Sequence, residues 1–297
     1  NLTKAKLEEA RPLIKLFGLD YDGTVSDGAN YQVPQVIALV ERILIRDKSV
    51  AFITARAASA LKNLAPPLQE LLVRRDTSIP NFIAGGNGTT LYEVKKDKLI
   101  EIYNHGLDLS EIKRAVDVWR KIYEKFGLSI ADLTAKGLET FKRFLQEDWD
   151  NFIPSEIVDV CRPYEGEVFT EEAKVTFVLP KNKSLREQII TEVNKELGGR
   201  YRAVAGDDTF AHITKQLEED SKAVAIKTIL KSMGLGLTQT ATFGDMPEGN
   251  DAGLLSFPYS FTNSEEFINV KKNLQQPPYV LMEPNLTAVA RVYKAID

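Results

Sequence analysis

The sequence predicts an α/β fold in which a doubly wound parallel sheet is interrupted by a second, α+β domain. Short apolar segments alternate with segments of helical periodicity at both ends of the chain, and this alternation is lost between about residues 100 and 210. Polar residues directly follow several of the apolar segments. Short apolar segments bounded by turn residues are typical of strands buried on both faces of a parallel sheet. One domain interrupted by another therefore explains the pattern better than two domains in series.

The first part of the chain contains three predicted strands and two predicted helices. The apolar run that ends at Asp20 is the first strand, and the third strand leads into the glycine-rich residues 85–88. Pro34 stands near the start of the first helix, where a missing N–H leaves no hydrogen bond unmade. The order strand, helix, strand, helix, strand is typical of a Rossmann-like sheet. The five segments are residues 13–19, 33–46, 50–54, 59–75 and 82–84.

The middle of the chain does not continue this order. Two helical segments lead into an acidic, aromatic-rich stretch, which is followed by a strand, a helix and a strand. These segments are residues 109–126, 138–147, 174–179, 185–197 and 201–205. We therefore predict an inserted α+β cap domain over residues 104–208, within a core formed by residues 1–103 and 209–297.

The first alternation returns from residue 211 onward and completes the predicted parallel sheet. Ser221 and Lys222 stand at the start of the first returning helix, and Gly244 and Asp245 follow the strand after it. The segments, in the order helix, strand, strand, helix, strand, helix, are residues 223–233, 240–243, 257–262, 265–274, 279–282 and 287–296.

The composition excludes several classes of protein. Of 297 residues, 43% are hydrophobic and 27% are charged, which is ordinary for a folded chain and excludes a disordered one. The 38 basic and 42 acidic residues give a net charge of −4, without the basic excess of proteins that bind nucleic acid or anionic membranes. No apolar run approaches the length that spans a bilayer. The single cysteine, Cys161, cannot form a disulfide within the chain, so a reducing, cytoplasmic location is expected.

Two aspartates follow the first predicted strand. Side chains two apart in an extended segment point the same way, so Asp20 and Asp22 can face one site. Open α/β sheets bind ligands at the carboxyl ends of their strands, and two carboxylates there repel each other unless a cation such as magnesium intervenes. A surface turn is the alternative, because Asp-Gly is common in turns. A calcium-binding EF-hand loop is excluded, since its required glycine and glutamate positions hold Val25 and Tyr31.

Further polar residues stand at equivalent places. Thr54 ends the second strand, Lys222 begins a helix, and Asp245 follows the fourth core strand with Asn250 and Asp251 behind it. Each has an ordinary explanation by itself: a helix cap, a solvated lysine and a turn. Together they suit a site for phosphate and magnesium.

With these residues the chain resembles the haloacid dehalogenase superfamily of phosphatases. The resemblance covers about residues 12–88 and 212–292, and the insertion resembles the large α/β cap of one branch of the superfamily. That branch contains Cof-type, sucrose-phosphate and trehalose-phosphate phosphatases and the phosphomannomutases. The four matching motifs are Asp20-Tyr21-Asp22-Gly23-Thr24, Thr54, Lys222, and Gly244-Asp245 with Asp251.

The resemblance implies a role for each of these residues. Asp20 would be the nucleophile that forms an aspartyl-phosphate, and Asp22 the general acid and base, with Thr54 and Lys222 also catalytic. Magnesium would be held by Asp20, Asp245 and the carbonyl of Asp22. Asp251 and Asn87 would support the site. The phosphate-binding residues would be Gly23, Thr54, Ala55, Arg56, Lys222 and Asn250. The implied substrate is a small phosphorylated metabolite, with a sugar phosphate favoured.

The sequence departs from the family pattern at three places. The loop after Asp245 has two more residues than in Cof-type members, as in phosphomannomutases, so a phosphohexose mutase is an alternative function. A mutase needs clustered cap arginines, for which Arg143 and Arg162 are candidates. The second motif reads Thr-Ala-Arg where Thr-Gly-Arg is commoner. Lys227 or Lys215 could take the place of Lys222. A catalytically silent sugar-phosphate-binding regulator is the third alternative, although such a protein is expected to lose one of the paired aspartates.

Overall fold

The computed structural model describes residues 11–25, 33–56, 79–95, 98–147, 155–164, 166–171, 174–206, 208–246, 249–262 and 280–281. The chain divides into two compact units, which we call the core and the inserted unit. The core is Asn1–Tyr103 with Glu219–Asp297, and the inserted unit is Asn104–Glu218. Among the described residues no helix is long and apolar enough to cross a membrane.

Strands and helices alternate irregularly along the described parts of the chain. In chain order the elements are β1 (Leu16–Leu19), α1 (Val33–Ile45), β2 (Ser49–Ile53), β3 (Asn81–Gly85), β4 (Thr90–Lys95), β5 (Lys98–Asn104), α2 (Leu109–Lys125), α3 (Ala135–Glu147), α4 (Ser155–Cys161), β6 (Val168–Glu171), β7 (Lys174–Val178), α5 (Lys183–Leu197), β8 (Tyr201–Ala205), β9 (Phe210–Lys215), α6 (Ser221–Ser232), β10 (Thr240–Gly244), β11 (Tyr259–Thr262) and β12 (Val280–Leu281).

The core contains an eight-stranded sheet in the order β12-β11-β10-β1-β2-β3-β4-β5. The strands from β12 to β3 run parallel, as predicted, and the non-consecutive order is that of a doubly wound α/β fold. The hairpin partner β4 is antiparallel to β3, so the sheet is mixed. No strand was predicted from the sequence at β4 or β5. A tight turn over Gly86–Gly88 reverses the chain there, with Asn87 and Gly88 at positive φ.

The register of the parallel strands places their carboxyl ends side by side. Leu19, the last residue of β1, is level with Phe52 of β2 and Phe243 of β10. Because each strand then ends within a residue or two of its neighbour, the polar residues that follow meet at one edge of the sheet. This register positions the candidate site.

Both faces of the core sheet are covered. On one face, buried residues of α1 pack with Phe17 and Leu19 of β1, and on the other, Leu16 packs with buried residues of α6. Gly18 allows the close approach of α6, since a Cβ there would lie 2.6 Å from Cδ1 of Ile226. Phe243 is fully buried and stacks on Phe261 at 4.5 Å between ring centroids. The strands are therefore apolar on both sides, which is why they read as continuous hydrophobic runs.

The inserted unit contains a four-stranded antiparallel sheet in the order β6-β7-β9-β8. Its helices and strands share one hydrophobic core, in which Trp119 of α2 stacks on Phe177 of β7 at 4.1 Å. The sequence predicted β7, β8, α2, α3 and α5, but it placed no element at α4 or β6. Residues 210–215 were expected to return to the core. They form β9 instead, between β7 and β8, so the unit extends beyond the predicted boundary at residue 208 to Glu218.

Three predicted helices, at residues 59–75, 265–274 and 287–296, lie outside the described residues. The other predicted strands and helices of the core are confirmed, with shifts of a few residues at their ends. The longest shift is in β1, which begins at Leu16 and not at residue 13.

We expect Phe243→Ala to lower the free energy of unfolding by about 3–5 kcal/mol, because the truncation leaves a cavity in the middle of the core sheet. The measurement is urea denaturation followed by circular dichroism. Leu237→Ala is the control, since Leu237 is 49% exposed and its truncation should cost less than about 0.5 kcal/mol. Equal effects of the two substitutions would contradict the assignment of Phe243 to the core.

Candidate active site

Lys222 lies between two buried carboxylates. Its Nζ donates hydrogen bonds to Oδ1 of Asp20 at 2.7 Å and to Oδ1 of Asp251 at 2.5 Å. Lys222 and Asp251 are 0% exposed, and Asp20 is 4% exposed. Burial by itself lowers the pKa of Lys222, but the charges of Asp20 and Asp251 outweigh it and hold the pKa above its ordinary value. Lys222 is therefore a charged, buried lysine in contact with the predicted nucleophile.

The start of α6 fixes the position of Lys222. The side chain of Asp220 caps the helix by accepting hydrogen bonds from the amides of Lys222 and Ala223, at 3.0 and 3.4 Å. Gly253 packs against this cap, where a Cβ would lie 2.0 Å from Oδ1 of Asp220. Lys222 thus extends into the site from the first turn of α6, and Asp220 and Gly253 fix the position of that turn.

Three aspartates form an acidic cluster among the described residues. Oxygen atoms of Asp20, Asp245 and Asp251 lie within 4.8 Å of one another. Burial and then the charge of Asp251 raise the pKa of Asp20, which Lys222 opposes, and the same two causes raise the pKa of Asp245 to about 7. Burial and mutual repulsion thus disfavour the charged forms, and an additional cation would relieve both.

The cluster fits a magnesium ion in its donor atoms. Magnesium prefers oxygen ligands, and every member of the cluster supplies a carboxylate. The turn after Asp20 allows Asp245 to approach, because Gly23 has φ +80° and a Cβ there would lie 2.2 Å from Oδ2 of Asp245. Thr24 donates from its hydroxyl to Asp20 at 3.3 Å and to Asp245 at 3.4 Å. The first and fourth motifs therefore converge on one point.

Asp251 organises the loop that follows β10. Its Oδ2 accepts hydrogen bonds from the amides of Asp245 at 2.9 Å and Met246 at 3.0 Å, while its other oxygen binds Lys222. Gly244 leaves room for this carboxylate, since a Cβ there would lie 2.9 Å from it. The loop after Asp245 has two more residues than the corresponding loop of Cof-type members, yet the carboxylate of Asp251 contacts Lys222.

Asp22 and Arg56 form a separate ion pair. The Nε and Nη2 of Arg56 donate to Oδ2 and Oδ1 of Asp22, each at 2.7 Å. Among the described residues, the carboxylate of Asp22 is not part of the acidic cluster. Thr54 is buried directly after β2. Its hydroxyl accepts a hydrogen bond at 3.1 Å from the amide of Arg56, and Ala55 is the residue between the two in the sequence. The side chain of Arg56, expected at the phosphate, therefore contacts Asp22 in this structure.

Asn87 connects three parts of the site. Its amide donates to the carbonyl of Thr54 at 2.8 Å, and its carbonyl accepts from the hydroxyl of Ser221 at 2.7 Å. Its Oδ1 accepts from Nδ2 of Asn250 at 3.2 Å. Gly88 lies against the start of α6, where a Cβ would be 2.5 Å from the carbonyl oxygen of Ser221. The glycine-rich turn after β3 therefore holds the end of β2, the start of α6 and the loop after β10 together.

The structure brings Asp20, Lys222, Asp245 and Asp251 together, pairs Asp22 with Arg56, and gives the two alternative lysines other partners. Lys227 is exposed and pairs with Glu219, and Lys215 pairs with Glu111 at 2.8 Å in the inserted unit. The sequence analysis assigned no role to Thr24 or to the hydroxyl of Ser221. Thr24 is the last residue of the first motif and Ser221 directly precedes Lys222, and these positions are the one signal that could have identified them.

Comparison with known proteins places this site in a family context. The family described as haloacid dehalogenase-like hydrolase matches residues 17–261, which is more than half of the chain. No curated protein sequence matches the chain.

Several solved structures share the fold at low sequence identity. The N-terminally truncated, IMP-bound IMP-nucleotidase of Plasmodium falciparum has a TM-score of 0.54 and 14% identity, over 84% of this chain and 64% of that one. The chain thus spans slightly less than two thirds of that protein. Haloacid dehalogenase-like hydrolases from B. subtilis and Bacteroides thetaiotaomicron have TM-scores of 0.57 and 0.55, both at 17% identity, over 86% of this chain and 92% and 91% of theirs.

We expect Lys222→Met to lower the free energy of unfolding by about 3–5 kcal/mol in metal-free buffer, because it leaves two buried carboxylates without their cation. Urea denaturation measures the change. Lys227→Met is the matched control and should cost less than about 1 kcal/mol, because its ion pair with Glu219 is exposed. If the Lys222→Met protein were as stable as the control, the burial of the Asp20 and Asp251 carboxylates would not depend on the lysine.

Proposed function

Because the chain belongs to the haloacid dehalogenase-like hydrolases, we propose that it is a phosphatase of small phosphorylated metabolites that acts through an aspartyl-phosphate on Asp20. The observation that carries the proposal is the contact of Asp20 with the buried Lys222, beside an acidic cluster of oxygen ligands. A carboxylate nucleophile needs a nearby cation, since the phosphate that it attacks is itself an anion.

In the first step, a carboxylate oxygen of Asp20 attacks phosphorus and the bond to the leaving oxygen breaks. Asp22 gives the leaving oxygen a proton. Lys222 neutralises charge next to Asp20, and the hydroxyl of Thr54 orients the transferred oxygens. Thr24 donates to Oδ2 of Asp20 and Lys222 to Oδ1, so both oxygens of the nucleophile are held in fixed positions. Water then releases phosphate from Asp20 in the second step.

Magnesium would be held by Asp20, Asp245 and the carbonyl of Asp22. When bound, it supplies positive charge that reduces the repulsion between the nucleophile and the phosphate. Asp251 would support this site indirectly, because it binds Lys222 and the amide of Asp245.

The substrate class that we propose is a sugar phosphate. We propose that the inserted unit acts as a cap and selects this substrate. The predicted range of the unit was residues 104–208, and in the sequence it interrupts the core between Asn87 and Lys222. A nucleoside monophosphate is the second class to test, because a structure that shares the fold is described as an IMP-bound IMP-nucleotidase. The proposal includes neither a nucleic acid nor a membrane as partner.

The two alternative functions, a phosphohexose mutase and a catalytically silent sugar-phosphate-binding regulator, have no support in the described residues. A mutase would need arginines for a second phosphate, but Arg162 pairs with Asp159 at 3.2 Å between exposed side chains, and the side chain of Arg143 is outside the described residues. A catalytically silent regulator would not be expected to keep Asp20 in contact with Lys222.

We expect phosphate release to depend on magnesium. The protein, treated with chelator, is assayed for phosphate release from a panel of sugar phosphates and nucleoside monophosphates. It should be inactive in chelator and recover when magnesium is added, because the acidic cluster then gains its cation. Equal activity with and without chelator would contradict the metal assignment, and the preferred member of the panel identifies the substrate class.

We expect different defects at the two aspartates. Asp20→Asn removes the nucleophile and should reduce hydrolysis of every phosphate ester to background. Asp22→Asn removes the proton donor, so in a single turnover it should slow the first step by about 10²-fold or more for an alkyl phosphate and less for p-nitrophenyl phosphate, whose leaving group needs no proton. Asp117→Asn, at an exposed position of α2, is the control. Equal losses of the single-turnover rate on both substrates in the Asp22 variant would contradict its role as proton donor.

A further inference from the structure

We propose that Arg56 is a positioning residue for Asp22, which it orients for activation of the water that releases phosphate from Asp20. Arg56 is then not a ligand of the substrate phosphate. This inference rests on the proposed phosphatase function, and the experiment below separates a failure of the one from a failure of the other.

The pairing geometry is that of a guanidinium fork on a carboxylate. Two nitrogen atoms of Arg56 donate to the two different oxygens of Asp22, and both distances are 2.7 Å. Two parallel bonds fix the plane of the carboxylate as well as its distance, whereas a single bond would leave it free to rotate. A lysine cannot reproduce this contact, because its ammonium is a point donor without the planar fork.

The backbone of Arg56 is held on both sides. Its amide donates to the hydroxyl of Thr54 at 3.1 Å, and its carbonyl accepts from the amide of Gly86 at 2.8 Å. Thr54 in turn donates its amide to the carbonyl of Ala84 at 2.9 Å. The guanidinium therefore extends from a segment that is joined to both β2 and β3.

The turn that carries Asp22 is fixed as well. The amide of Val25 donates to the carbonyl of Tyr21 at 3.1 Å, Gly23 lies against Asp245, and Thr24 donates to Asp20. With both neighbours of Asp22 constrained, the main remaining freedom is its side-chain rotamer. The fork from Arg56 selects that rotamer.

Lys222 and Arg56, both described cations of the site, are bound to different carboxylates. Lys222 binds Asp20 and Asp251 out of contact with solvent, whereas the side chains of Arg56 and Asp22 are 28% and 38% exposed. A partly exposed ion pair adds little to the stability of the fold. The two-bond geometry of this pair is therefore not explained by a contribution to stability. The exposure does allow water to reach Asp22, which the second step requires.

The second step uses the oxygen lone pairs that the fork leaves available. The water oxygen attacks phosphorus, the bond from phosphorus to the Asp20 oxygen breaks, and its electron pair returns to the Asp20 carboxylate. The proton that the water loses passes to an oxygen of Asp22. Each carboxylate oxygen has two lone pairs, and Arg56 occupies one on each oxygen. Considering the described residues, one lone pair on each oxygen is then left for the water, in an orientation that Arg56 sets.

The experiment compares Arg56→Ala, Arg56→Lys, Asp22→Asn and the double variant Arg56→Ala/Asp22→Asn by rapid-mixing kinetics with p-nitrophenyl phosphate and magnesium. We expect Arg56→Ala to release the first equivalent of nitrophenolate in a burst and then turn over about 10²-fold more slowly than the original protein. Arg56→Lys should recover only part of the rate, because it restores the charge without the fork. The double variant should be no slower than Asp22→Asn, because Arg56 acts only through Asp22.

A second measurement separates positioning from phosphate binding. Orthovanadate, a phosphate mimic, should bind the magnesium-loaded Arg56→Ala protein with unchanged affinity in calorimetry. Lys227→Ala, far from the ion pair in sequence and paired with Glu219, is the control for both measurements. Loss of the burst together with weaker orthovanadate binding would overturn the inference and make Arg56 a phosphate ligand. An unchanged steady-state rate in Arg56→Ala would also overturn it. If the original protein hydrolyses no phosphate ester, the proposed function itself fails.

Discussion

The buried charge of Lys222 is the constraint on which the rest of the core depends. An ammonium group without solvent is stable only beside negative charge, and in this core Asp20 and Asp251 supply it. These two residues follow β1 and β10, so the lysine joins the ends of neighbouring strands to the start of α6. Asp220 caps that helix and Asn87 binds its first residue, Ser221, through a backbone carbonyl. The contacts that bury the lysine therefore also join the segments after β1 and β10 to the start of α6.

The same constraint divides the carboxylates of the site into two groups. Those of the acidic cluster are buried or half-buried and have raised pKa values at Asp20 and Asp245, so they need neighbouring positive charge to stay ionised. Asp22 stays outside that group, paired with Arg56 and partly exposed. A carboxylate that exchanges protons with a leaving group and with water needs such access. The proposed division of roles between the two aspartates of the first motif thus follows from the cation that each one meets.

The sequence was informative about the core sheet and less so about the strands added to it. The parallel strands are short apolar runs covered on both faces, and this pattern is local, so β1, β2, β3 and β10 could be predicted. The strands β4, β6 and β9 have alternating or mixed patterns, and their place is set by pairing with a neighbour. Because β9 pairs with β7 across more than thirty residues of chain, no local pattern assigned it to the inserted unit.

By itself, the sequence determined which chemical groups follow the strands and where the helices and strands of the parallel sheet lie. Residue type and periodicity are local properties, and together with the resemblance to a known family they were sufficient to name Asp20 and Asp245 and to favour Lys222 over Lys215 and Lys227. Only the tertiary structure decided which groups touch. It placed Arg56 on Asp22, where the sequence suggested phosphate, and Asp251 between Lys222 and the amide of Asp245. The reason is that the direction of a side chain at a strand end depends on its neighbours in space, which strand register and helix docking determine.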